Sequence, residues 1–166
     1  MKIGLLSDTH SYIDDTILNY FKECDEIWHA GDFGNIGVYD KLNAFKPTLG
    51  VYGNIDGQDV RIVLKEDLIF EREGATIYMT HIGGSPGKYS PRVKKVIAAH
   101  KPTIFICGHS HILRVVSDPM YGGMLYLNPG AAGKEGFHKM RTLLRFELVA
   151  GKVINMQVIE LGLRGK

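Results

Sequence analysis

The sequence predicts an α/β sandwich whose first half is mostly parallel and whose second half is mixed or antiparallel. Two observations lead there. Strand-like apolar runs alternate with helix-period segments over the first third, as strand–helix–strand crossovers require. The last third strings strand-like runs together through glycine-rich turns, with no helical period between them.

Each element has its own signal. "KIGLLSD" reads as a buried strand leading to Asp8, and "DTILNYFKEC" carries Ile17, Leu18 and Phe21 at helical spacing. "DEIWHAGD" is a second strand, leading to Asp32, and "GVYDKLNAFK" is a helix that Pro47 stops. "TLGVYGN" reads as a third strand ending at Asn54. "DLIFEREGATIYMTH" is a hairpin turning at Glu73-Gly74, its second strand ending at His81. "SPRVKKVIAAHK" is a helix with Ser90 as N-cap, Pro91 in its first turn and Pro102 beyond its end. "PTIFICG" is the strand before His109, and "RVVSD", "MLYLN", "TLLRFELV" and "KVINMQVIEL" complete the set.

Composition bounds the function. The 166 residues are sized for one domain, and 45% hydrophobic with 23% charged residues is ordinary for a globular chain. A net charge of +2 is too small for a nucleic-acid or anionic-membrane surface. No apolar stretch reaches the roughly 20 residues of a membrane helix. The N-terminal apolar run, Ile3 to Leu6, is too short for a signal-peptide core. The expected location is therefore the cytoplasm. Cys24 and Cys107 lack paired spacing and read as buried thiols, neither disulfide nor metal ligands.

One regularity carries the chemistry. Strand exits deliver Asp8 with His10, Asp32, Asn54, His81, and His109 with His111. In open parallel sheets ligands bind beyond the carboxyl ends of strands. Three oxygen donors and four imidazoles suit Mn, Fe, Zn, Ni or Co better than Ca or Mg. Seven donors exceed what one ion can use while keeping a place for substrate. Two ions sharing a carboxylate can use them all, and their residual positive charge would attract a phosphate ester.

The ordered pieces "DTH" (8–10), "GD" (31–32), "GNID" (53–56), "TH" (80–81) and "GHSH" (108–111) resemble the calcineurin-like metallophosphoesterase superfamily. With the "NPG" turn at Asn128–Gly130, the resemblance is to its small single-domain phosphodiesterase branch, to which the retromer scaffold subunit is related. It spans residues 1–132 and implies one metallophosphoesterase domain over 1–166, a four-layer α/β/β/α sandwich of two mixed sheets flanked by helices. It also implies two divalent ions, manganese first, with zinc, iron, nickel or cobalt as alternatives. Asp8, His10 and His111 would hold one ion, Asn54, His81 and His109 the other, with Asp32 bridging. A metal-bound hydroxide held at Asp32 would attack phosphorus, with Asp56 shaping the surrounding loop. The implied substrate is a small phosphodiester, with nucleic acid and membrane not expected and a homo-oligomer left open. A non-catalytic scaffold on the same fold is the alternative.

Several residues carry a plainer reading. His29 reads as a packing residue beside the site, and His100 as a solvated cation at a helix end. The segment "GKEGFHKMR" (133–141) reads as an exposed basic loop, with a phosphate-contacting rim as its alternative. Superfamily members commonly place histidine between the asparagine and the acid of the third motif. Here Ile55 stands there, and an aliphatic chain donates no proton.

Overall fold

The computed structural model describes residues 1–165. Its strands are β1 (Lys2–Leu6), β2 (Glu26–His29), β3 (Thr48–Gly50), β4 (Asp67–Arg72), β5 (Ala75–Thr80), β6 (Ile104–Ile106), β7 (Leu113–Asp118), β8 (Met124–Pro129), β9 (Met140–Val149) and β10 (Lys152–Leu163). The helices are α1 (Asp15–Phe21), α2 (Ile36–Phe45), α3 (Gln58–Arg61) and α4 (Pro91–His100). Two five-stranded sheets form, in the orders β10-β9-β1-β2-β3 and β4-β5-β6-β8-β7.

Side-chain alternation separates four layers. Ile3 and Leu5 of β1, Trp28 of β2 and Leu144 and Phe146 of β9 face inward, against Ile77 and Met79 of β5 and Ile104 and Ile106 of β6. The opposite faces are covered by helices. Leu6, Ile27 and Leu143 pack against Ile17 and Phe21 of α1 and Val38 and Leu42 of α2. Tyr78, Phe105 and Tyr126 pack against Val93 and Ile97 of α4. The expected sandwich of two mixed sheets flanked by helices is what the chain adopts.

The halves do not divide as the sequence suggested. β9 pairs antiparallel with β1, placing Phe146 opposite Ile3, so the last two strands return to the first sheet. The second sheet keeps a parallel centre, β5-β6-β8, between antiparallel edges. The third strand is also shorter than expected. It ends at Gly50, Val51 makes one bridge to Lys65, and Asn54 lies beyond it in an exposed turn. Glycine and the turn former Asn54 leave too little side chain to sustain a ladder there.

Local signals otherwise acted as chemistry dictates. The Ser90 hydroxyl accepts from the Val93 amide at 3.3 Å, and Asp14 caps α1 by accepting from Ile17 at 2.9 Å. Glu73 and Gly74 turn the β4–β5 hairpin with φ of 49° and 82°, the mirror-image turn that strand twist favours. Both cysteines are buried and unpaired with each other. No helix among the described residues is long and apolar enough to cross a membrane.

Gly4 marks where α1 meets the sheet most closely, since an added Cβ there would run into the Phe21 ring. Gly4→Ala should lower stability by about 1–3 kcal/mol through overpacking, read as a lower urea midpoint. Adding Phe21→Leu should recover part of the loss. An unchanged midpoint in Gly4→Ala would mean that α1 is free to move away.

Candidate metal centre

All seven predicted donors arrive at the carboxyl end of the sheets, where the β1, β2, β3, β5 and β6 exits converge. Two triplets have ligand atoms close enough to share an ion: Asp8, His10 and His111, and Asp32, His81 and His109. Asn54 joins the second, its Oδ1 lying 3.0 Å from His109 Nδ1. Asp8, Asp32 and His81 are buried, His10 and His111 half-buried, and Asn54 and His109 exposed.

The two aspartates are used alike. Asp8 commits Oδ2 to the scaffold, accepting from the Ser7 hydroxyl at 2.6 Å and the His109 amide at 3.1 Å. Its Oδ1 faces His111 Nε2 at 3.1 Å and His81 Nε2 at 3.8 Å. Asp32 commits Oδ1 to the Ile55 amide at 3.0 Å. Its Oδ2 faces one imidazole of each triplet, His81 at 3.2 Å and His10 at 3.6 Å. Asp32 therefore stands between the two groups.

The histidines are aimed by what their other nitrogens do. His81 Nδ1 donates to the Ala30 carbonyl at 2.7 Å, which turns Nε2 toward the carboxylates. His111 Nδ1 meets His138 Nδ1 at 3.1 Å, and His138 Nε2 donates to the Gly133 carbonyl at 3.0 Å. That contact is one the sequence did not reveal, because 27 residues separate the rings. The 133–141 segment is thus partly a wall of the site. Arg141 in it is buried, donating to Ala132 O at 2.8 Å and lying 3.8 Å from Asp14, so the reading of an exposed basic loop does not extend to it.

Backbone geometry completes the convergence. Asp8, His10, Asp32, His109 and His111 all have left-handed φ, between 47° and 67°. Bonds between loops hold them there: Asp8 N to Gly31 O, His10 N to Asp32 O, Gly108 N to His81 O and Gly133 N to Asp8 O, at 2.9–3.1 Å. Asp56 accepts from the amides of Gly34 and Gly53, tying the second strand exit to the third. Arg61 lies over the Tyr52 ring and donates to the carbonyls of Asp56 and Gly53, clamping the turn that carries Asn54. Nothing in the sequence singled out Arg61, since its partners are main-chain oxygens.

The donor set fits metal ions. Asp8 Oδ1, His10 Nε2 and His81 Nε2 are buried and have no hydrogen-bond partner. Buried polar atoms normally find partners, so orphans in both donor groups fit the ligands of cations. Charge agrees. Burial works against an ionised Asp8, yet His10, His111, His81 and Ser7 outweigh it and hold its pKa well below the usual range. Burial likewise opposes ionisation of Asp32, and His81 and the Ile55 amide reverse it. His10 is raised, chiefly by Asp8, and His81 is raised by the aspartates despite its burial.

The deciding observation comes from comparison. Residues 1–151 match the family model described as the calcineurin-like phosphoesterase superfamily domain. The chain belongs to that superfamily. A probable metallophosphoesterase of Methanothermobacter thermautotrophicus is 28% identical over 138 residues, covering 79% of this chain and 77% of its own. A phosphodiesterase of Methanocaldococcus jannaschii is 25% identical over 150 residues, covering 78% and 83%. Vps29 of Entamoeba histolytica shares the fold, with a TM-score of 0.74 at 18% identity over 98% of this chain and 100% of its own.

His29 sits behind the site, as its packing role requires. It is fully buried, stacked 3.6 Å from the Phe33 ring centroid, and accepts at Nδ1 from the Gly31 amide. Its Nε2 faces the Thr9 hydroxyl at 3.0 Å, so the neutral ring joins the first two strand exits. Burial pushes its pKa down to about 3. The unfolded chain takes up a proton near pH 6.5 that the folded one refuses, so this contribution is complete above 6.5 and is lost as pH falls toward 3. The raised His10 and His81 act oppositely: their contribution is complete below 6.5 and lost as pH rises through their folded values. The lowered Asp8 and Asp32 contribute fully above about pH 4 and lose that contribution below it, so they add little slope above pH 4. His138, also lowered by burial, adds a slope of the same sign just below pH 6.5. With metal chelated, stability should therefore fall by at least about 1.4 kcal/mol per pH unit between pH 6 and 4, and His29→Gln should flatten that slope. Urea unfolding at stepped pH measures both, and an equal slope in the variant would place the effect elsewhere.

Proposed function

We propose that the protein hydrolyses a small phosphodiester at two divalent ions, manganese foremost. The observation that carries this reading is the pair of donor triplets with Asp32 Oδ2 between them. Asp8, His10 and His111 would hold one ion, and His81, His109 and Asn54 the other. When bound, the ions acidify a water and neutralise charge developing on the phosphoryl oxygens. The residues supply orientation. Ser7 and the Ile55 amide fix which carboxylate oxygens face the site, and Ala30 fixes the His81 tautomer.

No side chain in the third motif is equipped to protonate a leaving group. Ile55 is 45% exposed and aliphatic, and only its amide is engaged. His138 has both ring nitrogens engaged, by His111 and by Gly133. The water oxygen would bond to phosphorus while the ester oxygen departs as its anion. This favours aryl or otherwise activated diesters over alkyl ones.

A scaffold without turnover is the competing reading, supported by the likeness in fold to Vps29. The complete donor set favours hydrolysis, as does the match to relatives named as phosphoesterases.

Elemental analysis after reconstitution should find two manganese ions per chain. His109→Ala and His111→Ala should each lose a different one, distinguished by anomalous scattering, whereas loss of the same ion from both would contradict the assignment. Asp32→Ala should cut hydrolysis of an aryl phosphodiester by at least about 10²–10³-fold. Across substituted phenyl methyl phosphates the rate should depend steeply on leaving-group acidity, and Ile55→His should flatten that dependence. A shallow slope in the wild type would mean that an acid is already supplied.

A further inference from the structure

Beside His109 the protein has a second feature that the metal centre does not use. A cavity of about 320 Å3 opens there, at the small end of the range of small-ligand pockets. Ile82 and Ile112 line it, and they are the residues that directly follow His81 and His111. Both are well exposed, 46% and 65%, although aliphatic.

Tyr126 is buried in the cavity wall. Tyr126 has its hydroxyl consumed, donating to Gly84 O at 2.8 Å and accepting from the Cys107 thiol at 3.1 Å. What it offers the cavity is therefore ring surface. Arg114 lies over that ring, its guanidinium carbon 5.9 Å from the centroid. It sits on β7, opposite Asn128 of β8, and Asn128 Nδ2 in turn donates to the Gly108 carbonyl at 3.0 Å. The same pairing thus sets Arg114 and the loop that carries His109.

Arg114 is unlike the other arginines. Arg61, Arg72, Arg92, Arg141, Arg145 and Arg164 all donate side-chain hydrogen bonds within the chain. Among the described residues Arg114 donates none, and no carboxylate pairs with it. A guanidinium placed at an apolar cavity, beside a phosphoester site and with its donors free, is arranged for an anionic ligand.

We propose that this cavity seats one ester substituent of the phosphodiester, and that the substituent is a flat apolar group bearing a negative charge toward Arg114. The inference rests on the phosphoesterase reading and narrows its substrate class. Ile82, Ile112 and the Tyr126 ring hold the apolar body, and Arg114 selects the charge.

Benzyl phosphonate and 4-carboxybenzyl phosphonate test it, because neither is hydrolysed and both carry a phosphoryl-like head. Calorimetry on the manganese-loaded full chain should find the carboxylated probe bound about tenfold tighter. Arg114→Met should reduce that advantage to within about twofold while leaving benzyl phosphonate affinity unchanged, which also verifies that the variant is folded. Ile112→Ser should weaken both probes by a similar factor of about three to five. Equal affinity for the two probes, or a preference that survives Arg114→Met, would overturn the inference and leave the phosphoesterase reading standing. Binding of neither probe would overturn both.

Discussion

The architecture of the centre depends on left-handed backbone at the strand exits. Side chains leaving a strand alternate between its two faces, so donors from several exits meet only if the chain turns sharply at each. Five of the seven donors sit at positive φ. For L-residues that conformation costs roughly 1–2 kcal/mol each, least for aspartate, asparagine and histidine. The side chains that bind metals are thus also among those that tolerate the turn. Glycines beside them give the room: a Cβ on Gly108 would collide with Ser7 and Asp8, and one on Gly53 with Asp32.

The strained exits persist because they hold one another. Main-chain bonds run from the first exit to the second, from the fifth strand's exit to the sixth's, and from the 133 segment back to Asp8. Asp8 and Asp32 each spend one oxygen on this lattice and leave the other for the site. Because the scaffold and the candidate ligand set share these two residues, substituting either aspartate also removes a structural bond. The fold alone cannot decide between hydrolysis and scaffolding, since the same architecture serves both kinds of protein. What can differ between them is the set of side chains at the strand exits.

Much of this was legible in the sequence. Alternating strand and helix periods gave the first sheet's core, and the donors stood at the predicted exits because a strand's end is marked by the loss of its apolar run. What was hidden was long-range. β1 is apolar on both faces, so nothing in its pattern says that β9 will lie beside it. The Asn54 turn looked like the continuation of a strand because Val51 and Tyr52 fit either state. Arg61 reaches the site through main-chain oxygens, which no spacing rule registers. His138 was legible only as part of the alternative rim, its contact with His111 being 27 residues away. Arg141 looked like one more surface cation until folding placed it beneath the loop that contains it.

The pairing of β1 with β9 has a consequence for biosynthesis. The strand that leads to Asp8 leaves the ribosome well before its neighbour on one side, since Leu144, opposite Leu5, is translated 139 residues later. At bacterial to eukaryotic elongation speeds that is a wait of roughly 7–30 s. Throughout it an apolar strand has one hydrogen-bonding edge open, the condition under which nascent chains associate with one another or recruit chaperones. The β1 edge is therefore the point at which slowed translation or overexpression would divert this chain into aggregates before its first sheet can close.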